Sequence, residues 1–435
     1  MVYERIKELT RKMECDMVAQ RRDFHKHAET GWFEVRTSSI IARHLTNLGY
    51  EVLVGEDVCD LETRMGLPSE EALAAHYEKA MQWGADPEFA PYAKGGKTGV
   101  IGILRCGEGP TVAMRFDIDA LGVIESDEPD HRPMAEGFAS INRGAMHACG
   151  HDAHATIGMG VAKVLMDIKE HLHGTVKLIF QPAEEGVRGA KSIVAKGHLE
   201  GVNYFLGSHV TGKKPEDPSV IIPGSTGSLA TCKYDVTYRG KSAHAGGAPH
   251  MGKNALLAAA AAVVNLYAIP RHGAGASRIN VGKLVAGSGR NVIADEAFME
   301  IELRGATTEI NDYMIKYAED ILQNTAAMYG CTCEMKLMGA ATSNESDPDF
   351  CEYLRDLWNE KLGFPKSEKL MLRIGGSEDV SYMVNRVREQ GGKAAFMRAM
   401  TITTGPAHNR RYDFDECLLV PTVQAFCAAV ADLMK

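Results

Sequence analysis

The chain has 435 residues, 45% hydrophobic and 24% charged, with a formal net charge of −9. That length exceeds one ordinary core and predicts two domains of soluble globular composition, and the acidic balance speaks against nucleic acid as a partner. No run of about 18 apolar residues predicts a membrane span, Met1–Lys7 lacks the apolar core of a signal peptide, and ten cysteines without C-x-x-C pairs fit free thiols in a reducing cytoplasm.

Residues 1–48 carry apolar side chains at helical spacing, with Ile6, Leu9, Met13 and Met17 first and Ile40, Ile41, Leu45 and Leu48 later. The Arg21–Gly31 stretch between them reads as a helix end with a solvated charged face, closed by Gly31. Tyr50–Gly55 predicts a strand. Residues 56–95 read as an insertion holding a helix over Ser69–Trp83, with Glu70 and Glu71 suited to its first turn. Short apolar runs at Val100–Leu104, Val112–Phe116, Thr175–Phe180 and Asn203–Leu206 alternate with helices such as Gly158–Leu172. That order predicts an α/β sheet covered on both faces, with functional groups at strand carboxyl ends. Asp117, Asp119, Glu184, Glu185 and His209 occupy such positions. From 224 to 340 the order is strand, helix, two strands, helix, strand, which predicts an inserted ferredoxin-like domain. Residues 1–223 and 341–435 then form the first domain, with helices expected at 347–362, after Gly375–Asp379 and at the carboxyl end.

His147-Ala148-Cys149-Gly150-His151-Asp152-Ala153-His154 gathers imidazole, thiol and carboxylate, the usual protein ligands of zinc and related divalent metals. Small residues between them let the backbone aim several side chains at one point. The spacing is neither a zinc-finger nor an H-E-x-x-H pattern. Gln181-Pro182-Ala183-Glu184-Glu185-Gly186 follows a predicted strand. There one carboxylate can bind metal while its neighbour takes a proton from water that the metal acidifies.

These two motifs, with Gly240–Ala245, Gly289–Ile293 and Gly376–Asp379, resemble the aminoacylase/carboxypeptidase-type dinuclear metallohydrolases, in the amidohydrolase branch that splits N-acyl amino acids. The resemblance spans nearly the whole chain. It implies a zinc-peptidase-like mixed-sheet catalytic domain with an inserted dimerisation, or lid, domain. It implies two divalent ions, commonly manganese in this branch, although a thiolate ligand favours zinc. By motif, Cys149 would bridge the ions, Glu185 and His408 would complete one site, and His151 and His209 the other. Glu184 would be the general base, and Asp117 and Asp119 would orient ligands. His244 would stabilise the tetrahedral oxyanion in a partner's site, beside Asn291. Arg188, Arg290 and Arg304 are candidates for a substrate carboxylate, with a surface salt bridge the competing reading for each. His147, His154, His198 and His250 receive no role. Phe116 stands where a small residue is usual and is expected to alter packing near the metals, and Ala407-His408 carries one histidine where relatives often have two.

The 56–95 insertion, Arg64–Pro68, the Glu184–Ala190 stretch with its Arg188, and Leu337–Thr342 narrow the likeness to enzymes cleaving an aromatic acyl group from glutamate. Other N-acyl amino acids, such as hippurate or indole conjugates, are the alternative, as is a non-catalytic role within a larger hydrolase. The partner would be a second copy or a related but unlike chain.

Overall fold

The computed structural model describes residues 2–435. Helices α1 (Val2–Lys12), α2 (Glu14–Lys26) and α3 (Val35–Leu48) lead to β1 (Glu51–Val54), and α4 (Glu70–Gln82) lies in the 56–95 stretch. Ser69 caps α4 by accepting the Ala72 N–H. Next come β2 (Val100–Arg105), β3 (Thr111–Asp117), α5 (Arg132–Ala135), α6 (His151–Asp167), β4 (Thr175–Gln181), α7 (Ala190–Ala195) and β5 (Tyr204–Gly212). After β6 (Ile221–Ile222) and β7 (Gly224–Thr226) the chain runs through β8 (Ala230–Arg239), α8 (Ala255–Tyr267), β9 (Ser277–Ala286), β10 (Glu296–Gly305), α9 (Thr308–Met328) and β11 (Thr332–Ala341). It closes with α10 (Pro348–Leu357), β12 (Met371–Arg373), α11 (Val380–Glu389), β13 (Lys393–Thr401) and α12 (Leu419–Leu433).

The larger sheet has seven strands in the order β1-β2-β4-β3-β5-β13-β6. β3, β4, β5 and β13 run parallel, while β1, β2 and β6 are antiparallel to their neighbours. Alternate side chains point to opposite faces of a strand, so Val112, Met114 and Phe116 meet one layer while Ala113 and Arg115 meet the other. The first layer contains α1, α2, α6 and α12, whose Ile6, Phe24, Val161 and Phe426 join Met114 and Phe116 in one core. On the second face Ile193 of α7 and Met383 of α11 pack on Ile101, Ala113 and Phe396. A sheet buried on both sides explains why these strands are continuous apolar runs.

The smaller sheet has the order β11-β8-β10-β9, all antiparallel. Ala297, Met299, Ile301 and Leu303 of β10 alternate into a core under α8 and α9. Asn254 and Thr307 cap those two helices through Leu257 N–H and Ile310 N–H. This sheet begins at Ala230. The residues just before it pair elsewhere, because Gly224–Thr226 lies parallel to Met371–Arg373 and hydrogen-bonds into the larger unit through Ser225 and Ser346.

Three expectations need correction. His209 does not end its strand, since β5 continues to Gly212 in register with β13. The segment Glu416–Leu433 is long and apolar enough to cross a membrane, contrary to the reading of the sequence, but 72% of it is buried inside the protein as a core helix. Phe116 turns away from the cleft and stacks with Phe180 and Phe426 at centroid distances of 5.5 and 5.2 Å. Gly158 of α6 makes that possible, for a Cβ there would fall 2.5 Å from Phe180 and 2.7 Å from Phe116. Gly158→Val is therefore expected to destabilise by about 1–3 kcal/mol through overpacking, read as a lower urea midpoint at unchanged m-value.

Candidate metal centre

The left-handed Gly150 (φ 88°) turns the chain between Cys149 and His151 so that both side chains enter one buried space. Nδ1 of His151 donates to the Asp119 carbonyl at 2.9 Å, which leaves Nε2 pointing inward with no hydrogen-bond partner. Nδ1 of His209 likewise donates to the Val210 carbonyl at 2.6 Å, leaving Nε2 at 3.4 Å from the Cys149 sulfur. His408 enters from the carboxyl-terminal loop, its left-handed backbone (φ 68°) fixed by donation to the Ala148 carbonyl at 2.7 Å. Its Nε2 lies 3.8 Å from Oε1 of Glu185, another buried atom without a hydrogen bond. The donor atoms form four groups, each within 4.8 Å: Cys149/His151/His209, Cys149/Glu185/His408, His151/Glu184/Glu185 and Asp117/His151/His154.

Orphaned inward-facing donors of this kind are costly unless a cation takes them. Their chemistry, imidazole with thiolate and carboxylate, suits a divalent transition metal. Protonation states point the same way. Burial and Glu185 push the Cys149 thiol far up. Burial pushes Glu185 up to about 7, and burial with Glu185 and Glu378 raises Glu184 well above the usual carboxylate range. His209 is driven well below its ordinary value by burial and by His154, so it offers a free lone pair.

The glutamate pair sits on a strained turn. Ala183 (φ 51°) and Val187 (φ 61°) are left-handed without being glycine, at roughly 1–3 kcal/mol each. Two carboxylates hold the turn. Glu34 accepts the Ala183 N–H at 2.8 Å, and Asp119 accepts the Glu184 and Glu185 N–H groups at 3.0 and 2.9 Å. Asp119 thus orients one histidine through its carbonyl and both glutamates through its carboxylate. Asp117 receives Nδ1–H of His154, whose Nε2 accepts the Val210 N–H at 2.9 Å. His154, given no role from sequence, thereby links β3 to the strand that carries His209.

Fully buried cations brace this arrangement. Arg115 reaches Asp117 at 2.5 Å, Gln181 at 2.8 Å and Asp379 at 3.3 Å, and Asp379 accepts the N–H groups of Gly189 and Ala190. Arg21 overturns the expectation of a solvated face on α2. Its guanidinium is fully buried and meets Asp152 at 2.9 Å, Asp413 at 2.8 Å and Glu416 at 3.3 Å. It ties the loop of Cys149 and His151 to the loop that follows His408. His25 bridges Asp152 and Glu125 at 2.8 and 3.0 Å. Burial opposes its charge, but those two hydrogen bonds outweigh burial and raise its pKa.

The remaining expected residues lie outside the cluster. Arg188 is spent on the backbone, donating to the Glu185 carbonyl at 2.8 Å and the Gly66 carbonyl at 3.1 Å, so it supports the turn and the 56–95 segment instead of facing a substrate. Arg304, on the helix-free face of the smaller sheet, pairs with Glu302 at 3.0 Å. Arg290 is exposed. His244 and Asn291 are exposed and are brought side by side by backbone bonds between residues 243–245 and 291–293. Nδ1 of His244 accepts the Gly246 and Gly247 N–H groups at 3.2 and 2.9 Å, which leaves the proton on Nε2. The residues not foreseen are Arg115, Arg398, Glu378 and Asp379. Arg115, Glu378 and Asp379 lie in segments recognisable from sequence but without an assigned role, and Arg398 lies on β13, a strand the sequence reading did not place.

A mixed sheet with such donors at its edge, interrupted by a ferredoxin-like unit, has the architecture of a metal-dependent peptidase. The sequence profile of Peptidase family M20/M25/M40 matches residues 113–432, and the chain belongs to that family. Indole-3-acetyl-aspartic acid hydrolase of Enterobacter agglomerans is 43% identical over 420 residues, covering 96% of each chain. The A-type component of p-aminobenzoyl-glutamate hydrolase from Escherichia coli (strain K12) is 42% identical over 405 residues, 93% of this chain and 92% of its own. The crystal structure of aminobenzoyl-glutamate utilization protein from Klebsiella pneumoniae matches with a TM-score of 0.83 at 39% identity, covering 98% of this chain and 97% of that one.

Removing one partner of a buried ion pair strands the other, at about 3–5 kcal/mol. Arg21→Met is expected to lose that much in chemical denaturation, against less than about 1 kcal/mol for Arg105→Met, whose pair with Glu51 is exposed.

Proposed function

We propose that the protein is a dinuclear metal-dependent amidohydrolase that cleaves the amide between an aromatic acyl group and an acidic amino acid. The carrying observation is the pair of donor triads that share Cys149, one with His151 and His209 and the other with Glu185 and His408. Glu184 stands in a third group with His151 and Glu185. The E. coli relative supports p-aminobenzoyl-glutamate as substrate, giving p-aminobenzoate and glutamate. Because that relative is one component of a multi-component hydrolase, it also supports a partner chain, either a copy or an unlike one. The Enterobacter relative supports indole-3-acetyl-aspartate as a second reading. Both compounds join an aromatic acyl group to a dicarboxylic amino acid.

When bound, two divalent cations, manganese or zinc, supply Lewis-acid polarisation of the scissile carbonyl and acidify water. The rest is work for the chain's own groups. Glu184, buried among carboxylates, has the proton affinity to take a proton from water and return it to the departing amine. His244 presents Nε2–H, the donor an oxyanion needs, from its own chain or a partner's. Asp119 holds Glu184, Glu185 and His151 in fixed relation throughout.

Glu184→Gln is expected to keep both ions, measured by elemental analysis, while kcat on p-aminobenzoyl-glutamate falls by about 10²–10⁴-fold. Full activity would remove Glu184 from its role. Equal kcat/KM on N-acetyl and N-benzoyl neutral amino acids would remove the acidic substrate class.

Metal affinity should rise with pH. Burial sets Glu185 at about 7 and holds the Cys149 thiol protonated, so protons compete below neutrality and binding releases them. Between about pH 6 and about pH 8 the apparent Kd for manganese is expected to fall, with proton release seen by calorimetry in buffers of different ionisation enthalpy. A pH-independent Kd would contradict these ligands.

A further inference from the structure

Glu378 follows the Gly375–Ser377 turn just before α11, and neither the sequence motifs nor the proposed reaction gives it a task. It lies at the heart of the site. Its Oε1 is 3.9 Å from Nε2 of His209 and 3.5 Å from Nη1 of Arg398. Its Oε2 is buried with no partner. It is close enough to Glu184 and Glu185 to raise the proton affinity of both. Arg398 is directly opposite His209 in the β5–β13 pairing and is only 4% exposed. Ser225 Oγ accepts from its Nε at 2.9 Å, and its guanidinium lies 4.7 Å from the centre of the Phe396 ring. Arg398 is thus anchored at its back while its front meets Glu378.

The two donor triads differ in charge. Cys149/Glu185/His408 includes a carboxylate of its own. Cys149/His151/His209 has only neutral imidazoles beside the shared thiolate. A doubly charged cation in a dry site favours an anionic donor, and a buried carboxylate oxygen without a partner is costly to leave so. The nearest unassigned carboxylate on the His209 side is Glu378.

We propose that Glu378 is the supplementary carboxylate ligand of the cation held by Cys149, His151 and His209, and that Arg398 is the positioning residue that presents it. The proposal rests on the dinuclear reading above. Its alternative is that Glu378 does no more than neutralise the buried Arg398.

Manganese titrations of the wild type, Glu378→Gln, Arg398→Met and the double variant separate these, with thermal unfolding of each metal-free protein as a fold control. In Glu378→Gln one of the two dissociation constants is expected to rise at least about tenfold while the other stays within about threefold, since loss of even an outer partner of a metal costs roughly 10–100-fold. The double variant, which strands no buried charge and so guards against misfolding of the single one, should show the same one-site loss. Affinities unchanged in both Glu378 variants would overturn the proposal. A loss in Glu378→Gln that Arg398→Met restores would also overturn it, leaving Glu378 a counter-ion. A wild type that takes up fewer than two ions would overturn the dinuclear reading and this proposal with it.

Discussion

Buried anions in excess of buried cations dominate this structure. Asp117, Asp119, Glu184, Glu185, Glu378 and Asp379 crowd around a buried thiol, within reach of one another's charge. Arg115 and Arg398 are the guanidinium groups that penetrate among them, and each is committed to a named carboxylate. In a medium of low dielectric such a cluster either holds protons or holds cations. The raised proton affinities of Cys149, Glu184 and Glu185 mark the protonated alternative, and a pair of divalent ions supplies the other. Function follows from this frustration, because a site that must surrender protons to bind metal is also able to trade them with a substrate.

The scaffold prevents the cluster from relaxing. Strand ends of β3 and β4 deliver Asp117 and the glutamate turn, the amino end of α6 delivers His151, and β5 delivers His209. Hydrogen bonds then fix what the strands only approximate. Asp119 grips two consecutive N–H groups of a turn whose backbone is otherwise unfavourable. Arg21 joins two loops that are more than two hundred residues apart, through Asp152 and Asp413. Each tether is short, buried and charged, which is how donor atoms are kept near their working geometry in the absence of an ion.

The sequence revealed much of this and hid a particular part. The ligand set was legible because cysteine, histidine and glutamate at those spacings have few other uses, and the ferredoxin-like order was legible because β8, β9 and β10 alternate polar and apolar residues. What was hidden depends on burial. Arg21, His25 and Asp152 look like surface charges in a string, and only the packing of α2 against α6 turns them into an interior network. β13 escaped notice because it is buried on both faces and so shows no alternation, and because Arg398 interrupts its apolar run. His209 was placed at a strand end because nothing local signals that β13 would extend β5 to Gly212. Arg188 was assigned to substrate because a positive charge beside two glutamates invites it, whereas its geometry spends it on carbonyls.

The most direct test of the central claim is anomalous diffraction from crystals grown with manganese. Two peaks flanking the Cys149 sulfur, one beside Glu185 and His408 and one beside His151 and His209, are the predicted result. A single peak, or two peaks of which neither touches Cys149, would contradict it.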